Sequence, residues 1–489
     1  MKLTELTAPL GVEPEEAWGD VLITGICEDS RKVSAGDLFV AIPGTKVDGG
    51  TYASDAADCG AVAVVAERAL DLPVPTLVVS DARRALALLA ARFFGSATEQ
   101  LHTVAVTGTN GKTTVCHWIA HLLGPERCEV ISTVENERRG IRALTTPSSP
   151  VIHQIARKAL DARKACLIVE ASSIGLEQRR LDAIAFDVAA FTNLTHDHLD
   201  LHGSFGRYLE AKEILFRGLA PDAWAVVNQD DPCGEAILDA TPARPFTVRR
   251  DGPADLTAGD ITVGLDRCTF RLAHRGRTQA VRLPAAGLHS VDNALVAAGV
   301  AFCSGLSLPA IAAGLETVPR IPGRGDVYRD GRGVTAIVDF AHNPDALERI
   351  LGEVRSEFER IVVVFGAPGE SDRAKRPKMG RIAGRWADLT ILTTDNPKGE
   401  SPRGIIEEIA RGVSETGGGC ERIVDRGEAI ARAVAQCGPR DLVLIAGKGH
   451  ETYQIVGEEF IPHTDGAVLG ALGFEPAAAS EQGEARKEI

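Results

Sequence analysis

Apolar positions along the chain gather into short runs of aliphatic and β-branched residues, separated by longer stretches where they recur at helical spacing. In the first ~97 residues the runs VLITGI, DLFVAI, AVAVVAE and PTLVVS read as strands, followed by a helical pattern over Asp81–Phe94. A second set, LHTVAV, ACLIVEA, DVAAFTN and AWAVVN, is spaced widely enough for crossover helices and predicts a doubly wound parallel sheet. After the Pro/Gly-rich joint PRIPGRG at 319–325, a third set follows as TAIVDF, IVVVFG, DLTILTTD and DLVLIAG, again with helical stretches between. The polar, Ala-rich tail from about Pro476 is expected to fray, and no solenoid-type repeat is visible. The expected fold is therefore α/β in three units: a small N-terminal domain over 1–97, a central P-loop-type parallel-sheet domain over 98–320, and a Rossmann-like domain over 321–489.

Length agrees, since 489 residues at roughly 150 per domain give about three. A formal charge of −14 argues against general nucleic-acid binding, so an anionic ligand must be held by local groups. The segment MKLTELTAPLGVEPEEAW lacks the apolar core of a secretion signal, and no run is long enough to cross a bilayer. Ten cysteines scattered without a C-x-x-C pair read as reduced thiols, and together these features lead to the expectation of a cytoplasmic protein.

Directly after LHTVAV stands Thr107-Gly108-Thr109-Asn110-Gly111-Lys112-Thr113-Thr114, followed by the helical run VCHWIAHLL. Strand, glycine loop and helix start make a phosphate cradle: the glycines let the backbone close on phosphate oxygens, Lys112 adds a point charge, and Thr113 offers a hydroxyl to Mg²⁺. Val106 stands where an ordinary P-loop has its first glycine, so the loop is a shortened variant. Glu170 ends the strand ACLIVE, at the sheet edge where a P-loop fold holds its metal, although a strand-end glutamate taken alone is a surface charge. The segment Thr192-Asn193-Leu194-Thr195-His196-Asp197-His198-Leu199-Asp200, taken alone, leaves a solvated turn open as the bland reading, and combined with the phosphate loop it reads better as a Mg²⁺–phosphate centre. Four further polar loops leave strand ends of the third set: Asp339–Asp345, Gly366–Arg376, Asp395–Lys398 and Gly447–Glu451. In an open α/β sheet such loops converge on one crevice.

TGTNGKTT, the Glu-x-Ser-Ser turn, TNLTHDHLD, Tyr208-Leu209-Glu210-Ala211-Lys212 and DFAHNPDAL resemble the Mur ligases of peptidoglycan synthesis, and the resemblance spans essentially the whole chain. Asp29-Ser30-Arg31-Lys32-Val33, GDLFVA, Thr145-Thr146-Pro147, KRPKMG, DNPK and GKGHE are most similar to the MurE-type branch, which adds the third amino acid. The resemblance implies an ATP-dependent ligase joining meso-2,6-diaminopimelate to UDP-N-acetylmuramoyl-L-alanyl-D-glutamate through an acyl phosphate. It implies ATP and Mg²⁺ as cofactors, small-molecule partners only, and a monomer. Its three units would bind, in order, the UDP end, ATP and the incoming amino acid.

Carried over position by position, Lys112, Glu170, His198 and Lys212 would serve catalysis, with Thr113, Glu170, His198 and a carbamylated Lys212 around metal. As an ordinary residue, Lys212 is simply a lysine of an amphipathic helix. Gly108, Thr109, Asn110, Gly111, Lys112, Thr113, Thr114, Asn293, Arg324, Asp339, His342 and Asp345 would surround ATP. Ser30 would meet the uridine end, and Thr145, Thr146, Ser172 and Arg180 the muramoyl-dipeptide. Arg376, Asp395, Asn396, Lys398, Gly447 and Glu451 would hold the amino acid.

Lys398 replaces the arginine that the diaminopimelate-adding members carry; it keeps the charge for a distal carboxylate and loses the bidentate fork. A cation there still repels the terminal ammonium of lysine. Ile174, Gly325 and the Gly369-Glu370-Ser371-Asp372 loop also depart from the family pattern without removing a metal or phosphate ligand. The alternatives are the same ligase acting on L-lysine or another amine, a folylpolyglutamate-type ligase, against which DSR…GDLFVA speaks, and a non-catalytic nucleotide-binding scaffold.

Overall fold

The computed structural model describes residues 1–11, 20–44, 47–142, 144–195, 197, 199–264 and 267–477, with Leu199 and Asp200 by backbone alone. The tail expected to fray thus lies mostly outside the described residues. Among the described residues, three main sheets follow one another along the chain.

The first sheet is all parallel, in the order β1 (Gly25–Cys27), β2 (Asp37–Val40), β3 (Ala63–Ala66) and β4 (Thr76–Val78). Strand side chains alternate between faces. Leu38, Val40, Ala63 and Val65 accordingly enter one apolar cluster, while Phe39, Ala41, Val64 and Ala66 enter another. The helical pattern begins as expected, with Asp81 capping helix Ala82–Phe93 by accepting the Arg84 N–H.

The central sheet contains β5 (His102–Thr107), β6 (Cys128–Ile131), β7 (Cys166–Glu170), β8 (Val188–Phe191), β9 (Trp224–Asn228), β10 (Arg244–Arg249), β11 (Leu256–Val263), β12 (Cys268–His274) and β13 (Arg277–Leu283). Its order is β13-β12-β11-β10-β9-β8-β5-β7-β6, parallel from β6 through β11, with an antiparallel edge made by β12 and β13. Val104, Val106 and Ile168 pack on one side, Ala105, Leu167 and Val169 on the other. Helices cover both faces, which is why these strands read as unbroken apolar runs.

Strand β6 and the extension β10–β13 were not among the expected strands. In the extension only every second residue is buried, as in Cys268, Phe270 and Leu272, because helix Leu288–Cys303 covers one face. The β12–β13 hairpin turns on Arg275-Gly276, both at positive φ, the geometry a two-residue hairpin loop needs.

The third sheet is built from β14 (Arg324–Asp330), β15 (Thr335–Asp339), β16 (Arg360–Phe365), β17 (Leu389–Leu392), β18 (Cys420–Arg422) and β19 (Asp441–Ala446). A separate hairpin, β20 (Tyr453–Val456) and β21 (Glu459–Pro462), precedes the last strand, β22 (Phe474–Pro476). The order is β18-β17-β16-β19-β15-β14-β22, with the strands from β18 to β15 parallel and β14 and β22 closing the edge antiparallel. All ten cysteines are free thiols, and no described helix is long and apolar enough to cross a membrane.

One buried ion pair sets the carboxyl edge of this sheet. Arg426 and Asp465 are both fully buried, with Nε to Oδ1 at 2.7 Å and Nη2 to Oδ2 at 2.8 Å. Arg426 Nη2 also donates to the Ala446 carbonyl at the end of β19, 3.0 Å away. Burial alone raises the Asp465 pKa, but the adjacent guanidinium outweighs it and holds the carboxyl below the usual range. Removing one partner strands a buried charge. Asp465→Ala is therefore expected to destabilise the chain by about 3–5 kcal/mol, read as a lower urea midpoint; an unchanged midpoint would contradict this role.

Candidate active site

Strand β5 ends at Thr107, and the chain crosses Gly108–Gly111 before helix Lys112–Leu123 begins. Gly108 and Gly111 have φ of +148° and +84°. A Cβ on Gly108 would lie 1.9 Å from Thr192 Oγ1, and one on Gly111 would lie 2.2 Å from Asn293 Oδ1, so glycine is required twice.

The segment after β8 supports this loop: Thr192 Oγ1 donates to the Asn110 carbonyl at 2.7 Å, and Asn193 accepts the N–H of Thr109 at 2.8 Å and of Asn110 at 2.9 Å. Lys112 curls over the loop, donating to the Gly108 and Thr109 carbonyls at 3.1 and 2.8 Å, and burial lowers its pKa. A helix N-terminus, glycine amides and a lysine make an anion seat.

Beside it, Glu170 is buried at the end of β7. Its Oε2 accepts from Thr113 Oγ1 at 2.9 Å, from the Thr133 N–H at 3.0 Å and from Thr133 Oγ1 at 3.2 Å. The Thr113 hydroxyl and Glu170 carboxylate are hard oxygen donors, the chemistry Mg²⁺ takes. Lys212, 1% exposed, donates to the Gly108 carbonyl at 2.8 Å, and its Nζ lies 4.4 Å from the centre of the Tyr208 ring. Burial, then the charge of Lys112, pushes its pKa well below the ordinary lysine value. His198, expected at the metal, lies outside the described residues, as does His196.

The third sheet meets this edge directly. Asn343 Nδ2 donates to Asn110 Oδ1 and to Asp197 Oδ2, both at 3.1 Å, and Asn110 Nδ2 donates to Asp345 Oδ2 at 3.0 Å. His342 and Lys375 face the buried Asp197 at 3.6 and 3.8 Å. Arg324 reaches Thr113 Oγ1 at 3.3 Å and lies over the Phe340 ring. Next to the glycine loop opens a cavity of about 210 Å³, lined by Gly111, Thr114, Asn293, Arg324, Asp339 and His342 among others. Burial raises the Asp339 pKa.

The Asp395–Lys398 and Gly447–Glu451 loops interlock. Lys448, fully buried, donates to Asn396 Oδ1 at 3.0 Å and Glu451 Oε2 at 2.6 Å, and Asn396 Nδ2 donates to the same Glu451 oxygen at 2.8 Å. The Gly447 N–H reaches the Asp339 carbonyl, joining this network to the cavity. Lys398 adopts φ +51°, its N–H bonded to the Ile455 carbonyl and its carbonyl to the Gly457 N–H.

Arg376, expected near the amino acid, is engaged within the protein: its Nη1 donates to Glu400 and Glu408 at 2.8 Å and its Nη2 to Glu400 at 2.9 Å. Arg376, closest of all, holds the Glu400 carboxyl down at about 2.

At the other end, Thr146 Oγ1 donates to the Glu170 carbonyl at 2.7 Å and accepts the Ser172 N–H at 2.9 Å, while Arg180 donates to the Thr146 carbonyl. Thr145 lies beside them, 3.5 Å from Thr133 Oγ1. Ser30 opens a 3₁₀ turn of the first unit, and among the described residues no side-chain hydrogen bond joins it to this group. The sequence reading left Asn343, Lys375 and Lys448 out of the site. Each stands in or beside a motif already singled out, and a lysine inside a motif of glycines and carboxylates was the available signal.

Family models match three successive stretches: "Mur ligase family, catalytic domain" at 22–94, "Mur ligase middle domain" at 106–301, and "Mur ligase, glutamate ligase domain" at 323–449. A protein of Geobacillus thermodenitrificans named UDP-N-acetylmuramoyl-L-alanyl-D-glutamate--2,6-diaminopimelate ligase is 40% identical over 483 residues, covering 96% of this chain and 99% of its own. The chain belongs to the Mur ligase family. A Mesorhizobium japonicum Mur ligase of the same name is 41% identical over 98% of this chain and 100% of its own. A solved Mur ligase structure, again of that name, matches with TM-score 0.67 and 32% identity over 96% of this chain and 98% of its own. MurF from Acinetobacter baumannii, at 20% identity, 96% and 98% coverage and the same TM-score, shows the shared fold alone.

In this Mur ligase the glycine loop leaves no room for a side chain. Gly111→Ala is expected to weaken ATP binding by roughly tenfold or more, because charge-assisted phosphate contacts are lost, with circular dichroism unchanged. Isothermal titration that finds wild-type affinity would contradict the assignment.

Proposed function

We propose that this enzyme uses ATP to join meso-2,6-diaminopimelate to UDP-N-acetylmuramoyl-L-alanyl-D-glutamate. The observation that carries the reading is the chain of hydrogen bonds that links the glycine loop to the 339–345 loop, that loop to 447–451, and 447–451 to 395–398. Relatives bearing that ligase name across their full length support it. The three units would divide the work: 1–97 for the UDP end, 98–320 for ATP and 321–489 for the incoming amino acid. The enzyme would act as a monomer, in the cytoplasm where ATP and UDP-linked substrates are available.

A free carboxylate is a poor electrophile. Its oxygen attacks the γ-phosphorus, the bond to ADP breaks, and an acyl phosphate forms; the amine then attacks the carbonyl carbon and phosphate leaves. In this account the glycine-loop amides and Lys112 hold the phosphates, while Thr114, Asn293, Arg324, Asp339 and His342 shape the adenosine side around the cavity. Thr113 and Glu170, with His198, would hold Mg²⁺, which supplies charge neutralisation as carboxylate meets phosphate. Burial favours the neutral form of Lys212, the form that would add carbon dioxide with release of a proton to leave a carbamate. That carbamate would give a further anionic oxygen donor beside Gly108.

Thr145, Thr146, Ser172 and Arg180 would orient the dipeptide so that its D-glutamate carboxylate faces the glycine loop. Asp395, Asn396 and Glu451 would hold the amino acid's ammonium group, and Lys398 its distal carboxylate. Arg376 would act on the amino acid through the Glu400 it holds, since that carboxylate anchors the chain just after Lys398.

Phosphate release with ATP, Mg²⁺ and the UDP-dipeptide is expected with diaminopimelate and not with L-lysine or without amine. Turnover with lysine would overturn the specificity argued from Lys398, and silence with every amine would overturn the ligase reading. Lys212→Ala is expected to lower kcat by roughly 10²–10³-fold, the usual scale for one charge-stabilising group.

A further inference from the structure

One contact outside these assignments ties the amine end to the phosphate end. Helix Thr133–Arg138 starts where Thr133 donates to Glu170, and one turn later, on the same face, it carries Glu137. Glu137 Oε1 accepts both the N–H and the hydroxyl of Thr452, at 2.9 and 2.6 Å, and its Oε2 lies 3.7 Å from His450 Nε2. The carboxylate is 14% exposed. Farther along, the Arg142 guanidinium lies 5.5 and 5.0 Å from the ring centres of Tyr453 and Phe460 on the β20–β21 hairpin, a cation–π contact on the same seam.

Thr452 directly follows Glu451, and the hairpin it opens is bound to the other amine loop. Ile455 N–H donates to Asn396 Oδ1 at 3.0 Å, Gln454 Nε2 donates to the Asp395 carbonyl at 3.0 Å, and Lys398 N–H donates to the Ile455 carbonyl at 2.9 Å. Lys398, Asn396 and Glu451 therefore move as one body with the hairpin. Glu137 is a point where that body is held by the unit that carries the glycine loop. His450 is nearly buried, and burial together with the charges of Arg324 and Lys448 pushes its pKa down to about 3. The imidazole facing Glu137 is thus neutral, and the clasp works by accepting two hydrogen bonds from Thr452.

We propose that Glu137 is a positioning residue for amine capture, seating the hairpin and its two amine-binding loops against the acyl phosphate. This rests on the ligase reading above. Loss of the seat leaves ATP and dipeptide binding intact and lets the amine arrive out of place, so that water competes for the acyl phosphate. Gln retains the carbonyl oxygen that Thr452 needs; Ala does not.

The test compares wild type, Glu137→Ala and Glu137→Gln as full-length proteins. For Glu137→Ala, the KM for diaminopimelate is expected to rise by roughly tenfold or more, the scale of two lost hydrogen bonds. The KM values for ATP and UDP-dipeptide should stay put, and more than one phosphate should be released per peptide bond formed. Glu137→Gln should restore both the KM and one-to-one coupling. Equal loss in all kinetic constants with coupling intact, or a Gln variant as impaired as Ala, would overturn the proposal.

Hydrogen exchange separates this failure from failure of the ligase reading. Amides of Thr452–Ile455 should exchange faster in Glu137→Ala whatever amine the enzyme accepts, and unchanged exchange would overturn the clasp itself. Wild type inactive with every amine would overturn the ligase reading, and with it the positioning role of Glu137 in amine capture.

Discussion

A carboxylate buried between two units must be compensated there, and Asp197 is such a group. It sits 2% exposed beyond the carboxyl end of β8, and Asn343, His342 and Lys375 face it from the third unit. Losing those partners while the units stay packed would leave a buried charge short of compensation, which is costly. The packing that brings Arg324 to Thr113 and Asp345 to Asn110 therefore depends on the polar seam around Asp197. The proposed reaction has a physical need for it, because phosphate donor and amine would be held by different sheets and would have to meet over one carbonyl carbon.

Within each unit the same logic recurs on a smaller scale. Parallel strands end together at one edge, and short polar loops leave that edge toward the cleft. Arg426 fixes the ends of the third sheet from below, bonding to Asp465 and to the carbonyl that closes β19. Lys448 ties the 395–398 and 447–451 loops together above it. Thr192 and Asn193 do the corresponding work for the glycine loop. Much of what surrounds the cleft is thus charge or hydrogen-bond capacity spent on holding loops still.

What the sequence disclosed follows from this arrangement. The glycine loop, Glu170 and the strand-end loops were legible because their chemistry sits in contiguous residues after apolar runs buried on both faces. The β10–β13 extension was not, since strands buried on one face mix Arg and Thr with their apolar positions and carry little signal. The engagement of Arg376 was hidden because Glu400 and Glu408 lie 24 and 32 residues away along the chain. Glu137 was hidden more deeply, as its partner Thr452 is 315 residues distant. No local motif announced His202 either: at the end of helix Leu199–His202 it bonds Ser173 at 3.0 Å and Glu177 at 3.1 Å.

The proposed reaction turns on phosphorylation of the D-glutamate carboxylate before the amine attacks. Supplying UDP-dipeptide labelled with ¹⁸O in that carboxylate, together with ATP, Mg²⁺ and diaminopimelate, tests it by mass spectrometry of the released phosphate. The account predicts that one carboxylate oxygen moves to phosphate at each turnover, with the other retained in the new amide. Unlabelled phosphate accompanying product would contradict it.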